Sequence, residues 1–171
     1  LREDDEVLLD TIKMGFDAIA ERFEKVQLRS ALNETMVLAA EVNRYLDTNA
    51  PWFEIKTDKA QAAKSVYTAM QAIDWLKLLF SPILPHTSQK LHEFLGYEKP
   101  IFGTQHVKTV ADELGGHSVL SYDAAGSLSI SGDGIWKPAR LEPGKPFNKS
   151  QPLFKKLEHE IVAAERARLG K

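Results

Sequence analysis

The stretch Leu9-Asp10-Thr11-Ile12-Lys13-Met14-Gly15-Phe16-Asp17-Ala18-Ile19-Ala20-Glu21-Arg22-Phe23-Glu24-Lys25-Val26 decides the fold class. Its apolar residues Leu9, Ile12, Phe16, Ile19, Phe23 and Val26 recur at spacings of three and four. Charged Asp10, Lys13, Asp17, Glu21 and Glu24 fill the other faces. At 3.6 residues per turn this pattern draws one apolar stripe along a helix, and that stripe needs a neighbour to bury it. The neighbour follows directly. From about Leu28 to Asp47, a second stripe runs through Leu32, Met36 (or Thr35), Ala39, Val42 and Leu46. So short a connection favours an antiparallel helical hairpin.

Working toward the C-terminus, Thr48-Asn49-Ala50-Pro51-Trp52 breaks the helical pattern. Pro51 has no backbone N–H and a preset φ, so it ends one helix or opens the next, and a short helical turn is expected through Ile55. Asp58 is placed to cap a third long helix through Phe80, with Ala62, Val66, Met70 (or Ala69), Ile73, Leu76 and Phe80 inward. Pro82 stops it and Pro85 can open a fourth helix, in which Leu91, Phe94 and Leu95 pack and Gly96 closes the end. Beyond Gly96 the pattern is irregular. A short helix from Gln105 to Leu114 is expected. A small β-hairpin of Ser118–Ser121 and Leu128–Ile130 around Asp123-Ala124-Ala125-Gly126 should follow. An extended Pro/Gly connector then leads to a last helix from about Pro152 to Leu169, with Leu153, Leu157, Ile161 and Ala164 inward. The expected fold is all-α: an antiparallel helix bundle with a small β-hairpin insertion and a C-terminal helix. Residues 1–96 form the bundle, 97–134 an irregular segment holding the hairpin, and 135–171 a connector and helix completing the same domain.

Length and composition bound the function. The 171 residues suffice for one sizeable domain that hides roughly 70% of the surface of its unfolded chain. A formal net charge of −2 argues against a broad basic footprint, so any RNA contact has to be local. Glu3-Asp4-Asp5-Glu6 makes the start acidic, while Lys and Arg outnumber Glu from Lys137 to Lys171. There is no cysteine, which removes disulfides, thiolate metal sites and cysteine nucleophiles. No apolar run is long enough to span a membrane, and no signal peptide is recognisable, so a cytoplasmic location is expected. The chain begins at Leu1 without a Met and reads as a piece of something longer.

Catalytic patterns fail one by one. The five histidines are scattered, and His92-Glu93 lacks the second His of a helical zinc motif, so no metal site is expected. Gly144-Lys145 mimics the end of a phosphate-binding loop, but Ala139 stands where its first Gly belongs and Pro146 where Ser or Thr would bind magnesium. No catalytic residue is assigned. Trp52 is the informative residue. It follows Pro51 at a helix break, with Asn49 and Arg44 before it and Lys56 after it. An exposed aromatic beside cations is what single-stranded nucleic acid requires, because a base offers a π-face and its backbone a charge. The alternative is that Trp52 caps the bundle core. Trp75 should be core or bundle edge, and Trp136 should anchor the connector by burying its ring.

The run Ala40-Glu41-Val42-Asn43-Arg44-Tyr45-Leu46-Asp47-Thr48-Asn49-Ala50-Pro51-Trp52 resembles the anticodon-binding domain of the methionyl-tRNA synthetase family. Ser81-Pro82-Ile83-Leu84-Pro85 is similar to a helix junction of that family. The stretch from Trp136 through Gly144 to Pro152-Leu153-Phe154 resembles its exit segment. The resemblance implies a helical domain that reads the CAU anticodon of methionine tRNAs, with Trp52 stacking on an anticodon base and Pro51, Asn49, Arg44 and Lys56 around it. It also implies an upstream catalytic domain that adenylates methionine with ATP and magnesium, and no cofactor in this part. The C-terminal charge bias, with Arg166 and Arg168, further suggests a final helix packed back along the bundle with its basic face near the tRNA backbone. An Asn and an Arg that the family uses sit on an earlier helix; no Asn-x-x-x-Arg precedes Glu3 here. Related synthetases for leucine, isoleucine, valine and cysteine share such bundles, and the Asn-Arg-Tyr…Pro-Trp stretch favours methionine. The rival of a different class is a helical protein-interaction module. Burial separates the two: a synthetase bundle buries Phe16, Ile19 and Phe23 and exposes Trp52, whereas an interaction module leaves an apolar stripe exposed and Trp52 inside.

Overall fold

The computed structural model describes residues 2–113, 115–128 and 136–169. Helix α1 (Glu3–Glu24) opens with acidic residues throughout its first turn, where they complement the helix dipole, and the Arg2 backbone N–H donates to Asp5 Oδ2 at 2.7 Å. It buries Leu8, Ile12, Phe16 and Ile19. Val26, expected inward, is exposed. It takes a positive φ of 57° in the reversal to α2 (Leu28–Asn49), which turns its side chain away from the bundle. Helices α1 and α2 approach closely at Gly15, where a Cβ would stand 2.4 Å from Leu38 Cδ1.

The buried face of α2 is Ala31, Thr35, Leu38, Val42 and Tyr45. The expected stripe therefore sits one residue too late at most turns, and Met36 points to solvent. Thr35 is tolerated inside because its hydroxyl donates to the Ala31 carbonyl at 2.8 Å. After the one-turn helix α3 (Pro51–Glu54), α4 (Lys59–Phe80) runs through the middle and packs against α1, α2 and α3. Asp58 caps it as expected, accepting from the Gln61 backbone N–H at 2.9 Å. Here too one expected inward residue is displaced: Val66 is exposed and Ser65 is buried. Pro85 opens α5 (Pro85–Phe94), which packs on the end of α4. Gly96, at φ 78°, ends it: its N–H donates to Glu93 O at 3.0 Å, and that of Tyr97 to His92 O at 3.3 Å.

The expected helix at Gln105–Leu114 is instead strand β1 (Thr104–Asp112), paired antiparallel with β2 (Gly115–Asp123) in the register Val107↔Leu120. Val107, Thr109 and Val110 favour a strand, and Gly115 takes the positive φ that lets the chain reverse ahead of it. The expected strand Ser118–Ser121 lies within β2, which pairs with β1; of its assigned partner only Leu128 is described, Ser129 lying outside the described residues. Leu128 belongs to the turn after β2, and its N–H donates to Pro100 O at 2.9 Å; Ile130 falls outside the described residues.

The connector from Trp136 is stitched onto the bundle. Trp136 packs edge-on between the rings of Phe16 and Phe23, and its Nε1–H donates to Phe16 O at 3.0 Å. Gln71 and Trp75 donate to Ala139 O, and Gln71 Oε1 accepts from the Leu141 N–H at 2.7 Å. Gln71 is buried because it serves the connector at both ends of its amide. The last helix, α6 (His159–Arg168), starts later than expected and is exposed at every position. Leu157, Ile161 and Ala164 therefore do not face inward. Leu153 is half-buried and lines an apolar groove with Phe154, Met36, Phe80 and Leu84. Among the described residues, none covers a face of α6.

Candidate nucleic-acid interface

The end of the bundle near α3 is shaped by backbone constraints. Ala50 takes left-handed angles (φ 37°, ψ 57°), closing α2 through its N–H to Leu46 O at 2.8 Å. A residue before proline is disfavoured in the right-handed helical region, so Pro51 helps impose that break. Pro51 then stands first in α3, where its missing N–H costs nothing. Its own ring is buried. The chain bends sharply, and the two residues after Pro51 turn outward: Trp52 is 51% exposed and Phe53 66% exposed.

These two rings form a T-shaped pair with centroids 6.4 Å apart and planes inclined by 64°. The Lys56 ammonium stands 5.8 Å from the Phe53 ring centre. Trp52, Phe53 and Lys56 are thus one exposed aromatic and cationic cluster. Arg44 and Asn49 line a shallow groove between α1 and α2, together with Asp4, Glu41 and Thr48. Arg44 is exposed and ion-paired with Glu41, while Asn49 donates from Nδ2 to Tyr45 O at 3.0 Å. The five residues singled out in the sequence therefore divide by role. Trp52 and Lys56 are accessible, Arg44 is accessible but paired, Asn49 is partly committed to its own helix, and Pro51 is scaffold. Phe53 escaped notice because an apolar residue beside a Trp reads as core.

A buried polar network holds α3 in place from below. Asp5 is fully buried and accepts from the Tyr45 hydroxyl at 2.5 Å. Arg2 donates to Ser65 Oγ at 2.7 Å and lies 4.0 Å from the Glu54 carboxylate at the end of α3. Four helices meet through these groups. Burial alone would push the Asp5 carboxyl up, but the Arg2 backbone N–H, the Tyr45 hydroxyl and the Arg2 charge outweigh it and hold it below its ordinary value. Burial, and then the Asp5 carboxylate, push the Tyr45 phenol up. Tyr45→Phe removes a hydrogen bond to a buried charge and should cost about 2 kcal/mol in urea unfolding. A loss under about 0.5 kcal/mol would strike this network from the account of how α3 is held.

A second buried cluster lies toward the other end of α4. Asp74 and Lys77 form an ion pair with both side chains almost wholly enclosed. His92 stacks on Tyr97 at 4.2 Å, and the Lys77 and Lys145 ammonium groups each stand 4.0 Å from the Tyr97 ring centre. Among the described residues, no group of three or more His, Asp and Glu gathers as metal ligands.

The architecture is that of a helix-bundle domain carrying a two-stranded β-hairpin, with an aromatic and cationic cluster displayed at one end of the bundle. It belongs to the family described as the anticodon binding domain of methionyl tRNA ligase, whose model matches residues 1–124. A methionine–tRNA ligase of Thermomicrobium roseum is 47% identical over 165 residues, which cover 96% of this chain and 28% of that protein. One from Chloroflexus aurantiacus is 38% identical over 166 residues, covering 96% of this chain and 27% of its own length. The chain thus spans little more than a quarter of these relatives. The solved methionyl-tRNA synthetase of Mycobacterium tuberculosis in its free state shares the fold, with a TM-score of 0.67 at 17% identity, over 92% of this chain and 27% of that one. Phe16 and Ile19 are core, Phe23 is partly buried against it, and Trp52 is half-exposed, which agrees better with a synthetase bundle than with an interaction module.

Proposed function

We propose that this domain recognises the CAU anticodon of methionine tRNAs, with Trp52 stacking on an unpaired anticodon base. The carrying observation is the half-exposed Trp52, which a rigid helix break presents beside Lys56 in the family-matched segment. Lys56 and Arg44 offset the charge of the loop backbone, and Asn49 lends a polar edge to the groove between α1 and α2. Pro51 and the Asp5–Tyr45 network fix the platform before RNA arrives, which spares ordering cost on binding. Arg44 leaves Glu41 to reach a phosphate, a modest cost because the pair is exposed.

On this reading the domain does no bond chemistry. It holds the anticodon end so that the acceptor end reaches a catalytic domain elsewhere in a longer protein. There methionine is activated with ATP and magnesium and passed to the tRNA in the cytoplasm. No described helix is long and apolar enough to cross a membrane.

The test uses the longer protein with Trp52→Ala beside wild type, following methionine-dependent ATP–pyrophosphate exchange and tRNA charging in parallel. Exchange should persist while charging kcat/KM falls roughly ten- to hundred-fold, the worth of one base stack. Unchanged charging would remove Trp52 from the interface, and wild type without exchange would overturn the methionine reading.

A further inference from the structure

We propose that Phe53 and Lys56 form a second base subsite beside Trp52, taking the neighbouring unpaired base of the same RNA loop. The inference rests on the anticodon-binding reading above and adds to it a second platform and a constraint on loop shape. Phe53 is more exposed than Trp52, and the two exposed rings lie in contact, which is more informative than a single exposed apolar residue. Its place in α3 is fixed: the backbone N–H of Phe53 donates to Ala50 O at 2.8 Å, and that of Ile55 to Pro51 O at 3.0 Å. Its exposure is therefore set by the same rigid turn that presents Trp52.

The geometry states what it can hold. Two successive bases in a regular strand lie parallel, about 3.4 Å apart. The Trp52 and Phe53 rings are inclined by 64° with centroids 6.4 Å apart. A base lying flat on each ring cannot remain stacked on the other. The pair fits two adjacent bases splayed apart, which is the form in which proteins read single-stranded RNA. Lys56, now over the Phe53 ring, is the cation nearest this second base and is free to exchange the ring for the phosphate that joins the two nucleotides. It makes no ion pair among the described residues.

The probe is an anticodon stem-loop RNA with 2-aminopurine placed at one loop position at a time, bound to the longer protein. Wild type should shift the probe's fluorescence at two adjacent positions. Phe53→Ala should abolish the shift at one of them and weaken binding roughly ten-fold, with Phe53→Tyr restoring both. Trp52→Ala should abolish the shift at the other. Lys56→Ala should lower the slope of log affinity against log salt by about 0.7, the share of one phosphate on a single strand. Because Phe53 is exposed, Phe53→Ala should leave thermal unfolding nearly unchanged, which keeps misfolding apart from lost contact. If Phe53→Ala leaves affinity and every probe position as in wild type while Trp52→Ala does not, the second subsite is wrong and the first reading stands. If neither substitution matters, both fall together.

Discussion

Asp74→Ala should cost this domain about 3–5 kcal/mol in equilibrium unfolding, because it strips a buried ammonium of its counter-charge. The reason lies in what remains. Lys77 is enclosed within α4 and its surroundings, and its ammonium has Asp74 as its ion-pair partner. Burial pulls the Lys77 amine down from its ordinary value, and the Asp74 carboxylate opposes that pull. Remove the carboxylate and the ammonium either stays charged without an anion or gives up its proton. Both carry a free-energy cost. The nearby Lys145 charge makes the charged option worse.

The pair itself is a different matter from its halves. Two charges lose their hydration on entering the interior, and their attraction barely repays this. Asp74→Leu combined with Lys77→Met should therefore recover part of the loss, with a remainder of about 1–3 kcal/mol left by the Tyr97 hydroxyl, which also hydrogen-bonds Asp74. A double variant as unstable as Asp74→Ala would show that the two residues act through separate contacts.

This ion pair was not legible in the sequence. An Asp and a Lys three apart on a helix ordinarily mark a solvated face, and only the packing of α5 and the connector over them makes the pair internal. The same limit explains the displaced stripes. Ser65 is buried where Val66 looked the better choice, and of the alternatives Met36 and Thr35 it is Thr35 that is inside, because each hydroxyl donates to the carbonyl four residues back and so enters the core satisfied. Periodicity weighs side chains and does not see that bond. The long helices, the Asp58 cap, the Pro85 start and the Gly96 stop were readable because each rests on local backbone chemistry. The hairpin was misplaced because the β-branched Val107, Thr109 and Val110, which favour a strand, were passed over for a helical reading, and β2 was assigned a partner after it instead of before it. In α6 the apolar spacing was real, but no surface of the described chain meets it. At the interface, Trp52 was found by its place after Pro51, while its exposure depended on the left-handed Ala50, which no composition rule announces.

Lowering the pH from 7.5 to 4.5 should remove about 2–3 kcal/mol of stability through His92 alone. His92 is fully buried. Its Nε2–H donates to the Lys99 carbonyl at 2.9 Å, and Nδ1 has no hydrogen-bond partner among the described residues. Burial first, and the charge of Lys77 second, pull its pKa from 6.5 down to about 4, with Lys145 adding to the effect and the Lys99 carbonyl opposing it. In the unfolded chain the ring takes up its proton as the pH falls through about 6.5, while in the folded chain it stays neutral until about 4. Between those values the unfolded state binds more protons, so stability falls with pH, at up to about 1.4 kcal/mol per unit, and levels off below the folded value. Other groups titrate in the same range, which is why the variant matters more than the profile. His92→Gln keeps an N–H for the Lys99 carbonyl and cannot be protonated. Urea unfolding at pH 7.5 and 4.5 should show the variant losing about 2–3 kcal/mol less than wild type over that interval. Equal losses in the two proteins would mean that the folded domain admits the proton, and that the ring beside Lys77 and Tyr97 is less shut in than its packing implies.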